Sequence, residues 1–457
     1  MKELLLLSGL GVLSLIAEIL SIRKLIYPLV IIGLLVNIGF CVNDFGNNEN
    51  IYGMMMLDRT PLVFTILFSF IAILWFTMAN HYFEDETNLS DHFSLVLFSM
   101  VGVFILTSYT HMVMLFLGVE ILSIPVYVLA GSDKRNIFSN EAAFKYFLLG
   151  SFASGFLLLG IAFIYGALGS FNIIQIASMS MSPYGVSQQL LIIGTVLIIF
   201  ALAFKMSAAP FHFWAPDVYD GSPSVFSSFM MTIVKAAGFI ALINLFYIKA
   251  DSLAQLWKIL LFIVIIVTLV VGNITAIFQQ SVKRMMAYSS IAQAGFMLFA
   301  LYAINDVSKE GILLYAVAYT LATVGIFAIL VKIEDYTLEG YNGLAKTQPM
   351  LAFVNAIFVF SLAGIPLTAG FFAKYYMLAA VIKTGGNAGI VLVIIGVIFA
   401  AVSVYYYFKI LQAMYFNEGD AKVNNVSAGF KYGLFLLALT IIFIGIFPDT
   451  LINWFYF

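Results

Sequence analysis

Apolar runs of 18 or more residues follow one another from end to end of the chain, separated by short polar stretches. Each is long enough to cross about 30 Å of hydrocarbon as a helix. Irregular backbone cannot face lipid, so the alternative is a closed barrel of short alternating strands. The runs are continuous and do not alternate, which predicts helices. Spans are expected at about 3–22, 25–43, 60–80, 92–109, 111–131, 140–167, 187–209, 223–248, 253–277, 284–303, 310–332, 349–382, 387–415 and 430–453. The fold class is an all-α integral membrane protein of about fourteen spans.

Two of these spans are interrupted. The seventh contains FKMSAAPFHFWAPDVYDGSP, with Pro210 and Pro216 just after Lys205. The twelfth contains FSLAGIPLTAGFFAKYY, with Gly364 and Pro366 in mid-run and Gly370 after them. Proline has no N–H for the carbonyl four residues back, here Met206 and Leu362, so each span should break or kink. Such breaks are tolerated only where they face protein or a wet cavity. The segments AAPFHFW and GIPLTAGFF are faintly alike and lie five spans apart, an odd number that inverts orientation. Matching interruptions in inverted halves are a sequence pointer to a transport site, although glycine and proline are also common in ordinary membrane helices. The expected organisation is a three-span segment at 1–90, a five-helix repeat at 91–249 (spans four to eight), its inverted counterpart at 250–416 (spans nine to thirteen) and a last span in 417–457.

Composition sharpens this picture. Of 457 residues, 63% are hydrophobic and 10% charged, and the mean hydropathy is +1.06. Soluble domains carry about 25% charged residues, so this chain cannot cover a water-facing surface. Cys41 is the sole cysteine, which excludes a disulfide framework or an iron–sulfur cluster held by this chain alone. His81, His92, His111 and His212 show no metal-ligand spacing. A net charge of −2 gives no nucleic-acid signal. The first span lacks a basic leader and a small-residue cleavage site, and is expected to be retained. With the N-terminus outside, ten basic residues fall in inward loops (Arg23, Lys24, Lys134, Arg135, Lys283, Arg284, Lys332, Lys346, Lys422, Lys431) and six in outward ones (Lys2, Arg59, Lys249, Lys258, Lys309, Lys383). That balance predicts both termini outside, against the acidic loop at Glu84, Asp85, Glu86 and Asp91.

The ionisable residues inside the spans are the anomaly. Glu120 is roughly nine and ten residues from the two ends of its span, the bilayer centre at 1.5 Å per residue. A carboxylate there must face protein, pair with a cation or take up a proton. Pro125 frees the Ile121 carbonyl nearby. Lys205 directly precedes the first break, and snorkelling to the interface is the competing account. Lys235 sits twelve residues beyond Pro223, about 18 Å deep, with Ser222 and Pro223 reading as cap and first helical position. Lys374 follows the second break. Such a set can hand protons along through low-dielectric coupling.

Other candidates are more evenly balanced. Glu141 and Lys145 form an i, i+4 pair that is an ordinary helix stabiliser as readily as a relay. Lys283 beside Arg284 reads as an orientation anchor or a channel residue. His212, inside the first break, is a proton relay or a satisfied core histidine. Tyr288, Ser289, Ser290 and Gln293 would add hydroxyls and an amide to a polar seam, while the 45 phenylalanines and 19 methionines are packing material.

The segments FLGVEILSIPVYVLAG, FKxSAAPFHFWAPDVYDGSPS, TIVKAAGF, QQSVKRMMAYSSIAQAGF and AGIPLTAGFFAKYY resemble the antiporter-like membrane subunits of respiratory complex I, over most of the chain from the fourth span to the thirteenth. The resemblance implies that Glu120 and Lys205 form an ion pair, that Lys235 is the central relay and that Lys374 relays toward the outward exit. It implies proton translocation driven by distant quinone reduction, in a subunit of a translocating oxidoreductase of the bacterial cytoplasmic membrane that does no redox chemistry itself. NADH, FMN, iron–sulfur clusters and quinone are then expected on other subunits, with no cofactor on this chain. The implied partners are the other membrane-arm subunits, related antiporter-like subunits among them. The chain ends soon after its fourteenth span, without the long lateral helix of the family's largest subunit, and lysine at 374 argues against the middle one. One departure stands out: Gln293 occupies a position where the family pattern has histidine, and a neutral amide does not titrate near pH 7.

Two other functions remain open on the sequence. A subunit of a multi-chain sodium/proton antiporter shares the same module, but sodium calls for oxygen ligands and the deep spans offer few carboxylates beyond Glu120 and Glu18. A structural scaffold for neighbouring subunits would make the buried lysines dispensable except for assembly.

Overall fold

A computed structural model describes residues 1–20, 22–84, 88–180, 187–246, 254–424 and 426–455. Lys249, Asp85, Glu86 and the expected repeat boundary at 249/250 lie outside them. The helices in chain order are α1 (Lys2–Ile16), α2 (Ile26–Asn43), α3 (Arg59–Glu84), α4 (Leu89–Ser108), α5 (Met112–Ala130), α6 (Ile137–Leu168), α7 (Ile173–Ser180), α8 (Gln188–Lys205), α9 (Trp214–Gly221) and α10 (Ser224–Phe229). They continue with α11 (Lys235–Phe246), α12 (Ala254–Ile277), α13 (Val282–Ala303), α14 (Asp306–Leu330), α15 (Leu344–Thr347), α16 (Pro349–Ala363), α17 (Ala369–Thr384), α18 (Asn387–Tyr415), α19 (Ala428–Ile446) and α20 (Asp449–Ile452). A short antiparallel hairpin, β1 (Glu49–Ile51) with β2 (Met55–Leu57), pairs Glu49 with Leu57.

Among the described residues, twelve helices are long and apolar enough to cross a membrane. The count of fourteen is not reached by such helices, for two reasons. The first expected span is a helix of only 15 residues, Lys2–Ile16. The expected twelfth span is two pieces of 15 and 16 residues, because Gly364 takes a left-handed conformation (φ 84°) that ends α16. The seventh expected span likewise stops at Lys205, and the chain resumes helix at Trp214 after a stretch in which Ser207 has φ 59°. Both proline-marked interruptions are thus real breaks, whereas Pro125 sits inside an unbroken α5. The eighth span starts at Ser224, one residue after Pro223, and carries a π-helical turn at Met230–Val234 immediately before Lys235. Single π turns inside α-helices frequently mark functional positions.

By contacts the chain forms two compact units, and each is discontinuous in sequence. The first comprises Met1–Met206, Gly221–Phe226 and Ile233–Lys258; the second comprises Ser207–Asp220, Ser227–Thr232 and Ile259–Phe457. The chain therefore passes from one unit to the other at the break after Lys205.

Small residues set the closest helix contacts, as expected where lipid supplies no hydrophobic drive between helices. In the first unit α6 and α8 meet at Gly160 and Gly194: a Cβ on either would stand 2.8 or 2.7 Å from the other's carbonyl oxygen. Likewise α4 and α5 meet at Gly102, where a Cβ would lie 2.4 Å from the Leu122 nitrogen. The indole of Trp75 donates to the Val225 carbonyl and the Tyr109 hydroxyl to that of Ala241. In the second unit α12 and α13 cross at Gly272, against the backbone of Ala292, and α14 is buried along nearly its whole length.

Gly160→Val should weaken the α6–α8 contact by about 1–3 kcal/mol through overpacking. Thermal unfolding of detergent-solubilised protein should show a lowered midpoint. Gly155→Ala, on the same helix where an added Cβ meets nothing within 4 Å, should leave it in place.

Candidate functional site

In the first unit, Lys205 is the last residue of α8 and is 5% exposed. Its ammonium donates to Ser123 Oγ at 2.6 Å and reaches the Tyr146 hydroxyl at 3.5 Å. It also lies 5.5 and 5.8 Å from the ring centres of Tyr146 and Tyr127, close enough for cation–π attraction. Ser123 in turn donates to the Val119 carbonyl one turn back. Glu120 is half-buried on α5, and its carboxylate accepts a hydrogen bond from Ser154 Oγ of α6. The direct ion pair implied by the resemblance is not closed here, because hydroxyl groups occupy the near positions on both partners. A small cavity with room for about one water is lined by Ser123, Tyr127, Ser154 and Lys205.

Lys235 opens α11 directly after the π turn and is 0% exposed. Gly238, one turn later, leaves space for the neighbouring helix: its missing Cβ would stand 3.7 Å from Cγ of Lys205. The stems of the two lysines therefore run on adjoining helices, α8 and α11.

The second unit holds a corresponding site. Lys374, 6% exposed on α17, donates to the Ala363 carbonyl at 2.8 Å and lies 3.4 Å from Ser403 Oγ. Its ammonium is 5.0 Å from the ring centre of Phe296. Gln293, buried on α13, donates from Nε2 to the Leu362 carbonyl and to the Tyr407 hydroxyl, both at 3.0 Å. Its Oε1 accepts from the Tyr315 hydroxyl. Leu362 is the residue whose carbonyl Pro366 leaves without a helical partner, so Gln293 repairs the break. Ser289 hydrogen-bonds Tyr407, and Tyr406 donates to Asn273. A second small cavity, again with room for about one water, is lined by Gln293, Tyr315, Tyr319, Ser361 and Lys374.

The remaining candidates separate. Lys145 is salt-bridged to Glu141 at 2.7 Å and 39% exposed, the geometry of a helix-stabilising pair. Lys283 is buried and donates to the Asp220 carbonyl at 2.7 Å, with the Tyr336 ring 5.5 Å away. Beside it, Arg284 clasps Asp217 at 3.0 Å and Asp220 at 3.5 Å. This fastening of α9 was not foreseen; the i, i+3 spacing of the two aspartates was its only sequence signal. His212 is buried within the first break, its ring 4.4 Å from that of Phe213. Ser289 and Ser290 are buried as the polar seam requires, and Tyr288 is half-buried. Sequence reasoning missed Ser123, Ser154 and Tyr146, whose part depends on which helices become neighbours. Among the described residues no group of three His, Cys, Asp or Glu side chains could hold a metal ion.

A many-helix membrane protein with two broken helices and a buried lysine at each break belongs to the class of ion-translocating membrane subunits. The family described as NADH:quinone oxidoreductase/Mrp antiporter, TM, matches residues 109–400. The NADH-quinone oxidoreductase subunit N of Cytophaga hutchinsonii is 42% identical over 99% of both chains. A chain of respiratory complex I from Thermus thermophilus with bound aureothin is 30% identical, with a TM-score of 0.85 over 99% of this chain and 98% of that one. A chain of the Mrp complex from a Dietzia species shares the fold, with a TM-score of 0.83 over 99% of this chain and 94% of that one at 18% identity. The chain belongs to the NADH:quinone oxidoreductase/Mrp antiporter membrane family, and within it to the subunit N proteins.

Gln293→Met should leave the Leu362 carbonyl and the Tyr315 hydroxyl without their partner, while Tyr407 keeps Ser289, costing about 1–3 kcal/mol for each buried group left unpaired. The measurement is thermal unfolding in detergent, against Ser289→Ala as a comparison that removes a single hydroxyl.

Proposed function

We propose that this chain is a proton-translocating membrane-arm subunit of NADH-quinone oxidoreductase, moving protons with energy released by electron transfer from NADH to quinone on other subunits. The observation that carries the reading is the complete burial of Lys235 in the middle of the span Ser224–Phe246. An ammonium in that setting is costly to maintain for packing alone. The adjoining helix α8 carries Lys205, which holds hydroxyl partners. In this reading Glu120 and Lys205 form a couple whose separation is adjustable, Lys235 is the central relay, and Lys374 passes the proton toward the exit. Placing a proton on one member changes the free energy of placing one on the next, so the set transmits a change from end to end.

The redox groups (NADH, FMN, iron–sulfur clusters and quinone) belong to neighbouring subunits, and this chain binds none of them. The subunit lies in the bacterial cytoplasmic membrane with both termini on the outer face, as the excess of basic residues in the opposite loops favours. Lys283 serves chiefly to cap α9, and Lys145 chiefly to stabilise α6. The five-helix repeats at spans four to eight and nine to thirteen account for the two breaks with a lysine beside each. A sodium/proton antiporter role is less well supported: the relatives close in sequence carry the subunit N name, and the Mrp likeness is one of fold.

In the purified complex, Lys235→Ala should abolish proton pumping in reconstituted vesicles while the subunits still co-purify. Normal pumping by that variant would remove Lys235 from the path. Mild detergent extraction should retain peripheral flavin and iron–sulfur subunits with the wild-type chain; a set of small cation-antiporter subunits in their place would overturn the assignment.

A further inference from the structure

Lys374 makes two contacts in the second unit, to the Ala363 carbonyl and to Ser403, and its ammonium has three protons to donate. The Phe296 ring stands 5.0 Å from the ammonium, and the lysine also lines a small cavity. Two polar groups beyond the lysine decide what that cavity does. Gln293 is fixed: both amide protons are committed, to Leu362 and Tyr407, and its oxygen accepts from Tyr315. Reversing the amide would set its oxygen against the Leu362 carbonyl, so neither its orientation nor its protonation can change at low cost. Tyr319 is the opposite case. It lines the same cavity and is fully buried, with the hydroxyls of Ser290 and Thr323 as its near polar neighbours. A site of this size and polarity suits one bound water.

Elsewhere in the second unit the Tyr219 hydroxyl is 3.4 Å from Ser207 Oγ. Ser207 stands in the first break. Tyr319 and Lys374 line the same cavity in that unit.

We propose that Tyr319 is a proton-relay residue, passing protons to Lys374 through one water held in the cavity while Gln293 is kept out of the path. The inference rests on the pumping function above. A proton arriving on the Tyr319 oxygen releases the hydroxyl's own proton to the water, and the water gives one of its protons to the neutral Lys374 amine. One O–H bond forms and one breaks at each oxygen, and the sole net change is an ammonium on Lys374. Rotation of the hydroxyl and the water resets the chain. The neutral amide at 293, where the family pattern has histidine, therefore need not titrate: the relay runs beside it.

The test uses the whole complex in vesicles, with protons moved per NADH oxidised as the readout. Tyr319→Phe should assemble and slow pumping by about tenfold or more, on the scale of a lost proton-transfer group. Its rate should also become more sensitive to replacing H2O with D2O, which loss of packing alone would not cause. Ala318→Val, which fills the cavity and leaves Tyr319 in place, should give the same pair of effects and serves if the phenylalanine variant does not assemble. Tyr315→Phe, which frees only the Gln293 oxygen, should act more weakly than Tyr319→Phe. Unaltered pumping by Tyr319→Phe or Ala318→Val, slowing without a change in the isotope ratio, or the reverse order of the two tyrosine variants would overturn the proposal. Failure of the wild-type complex to pump would instead refute the function on which it rests.

Discussion

A helix interrupted inside a membrane leaves carbonyl groups that no water can reach, and the protein must supply a partner for each. The end of α16 shows how completely this is done. The Phe360 and Ser361 carbonyls accept from the backbone of Gly364 and Ile365, that of Leu362 accepts from Gln293, and that of Ala363 accepts from Lys374. All four carbonyls at the end of the helix are thereby satisfied. The lysine placed by this accounting also gains from it, since the negative end of a helix dipole favours a cation. Gly364 is required twice over: its φ is 84°, and a Cβ there would stand 2.9 Å from Cδ of Lys374. The break and the buried charge are one feature.

The first break follows the same logic with different parts. Lys205 closes α8, but its ammonium is held by a serine and a tyrosine and not by a carbonyl of the break. Glu120, one turn before that serine on α5, is held by Ser154 on α6. Hydroxyls are suited to this position because each can donate or accept. Under the proposed function they would let the carboxylate and ammonium approach or part without leaving either unsolvated, whereas a closed buried pair would be strongly destabilised by losing one partner. Adjustable separation is what a coupled pair of proton sites needs.

Around these sites the packing is chosen for close approach. Glycine pairs bring α6 to α8 and α4 to α5 with backbone in contact, and α14 is enclosed on all sides. Rigid walls of this kind keep a few polar groups in register across a low-dielectric interior. There each retained hydrogen bond counts for more and each lost one costs more.

The sequence alone determined the membrane class, the helical architecture, the two breaks and the identity of the buried ions, and the reason is the bilayer. Hydrocarbon imposes a length on every apolar run, forbids open strands and makes each deep charge conspicuous, so Lys235 and Lys374 could be read from their surroundings in the chain. Local chemistry also sufficed to name the partner of Lys145, four residues away, though not its role. The count of spans was less legible, because a left-handed glycine divides one run and a short first helix ends another. Only the tertiary structure decided the partners. Lys205 meets a serine 82 residues earlier, Gln293 a carbonyl 69 residues later and Lys374 a serine 29 residues later. No periodicity encodes such meetings, which depend on which helix faces pack together. For that reason the sequence supplied Glu120 and Lys205 as a pair, and the fold showed that hydroxyl groups stand next to each of them.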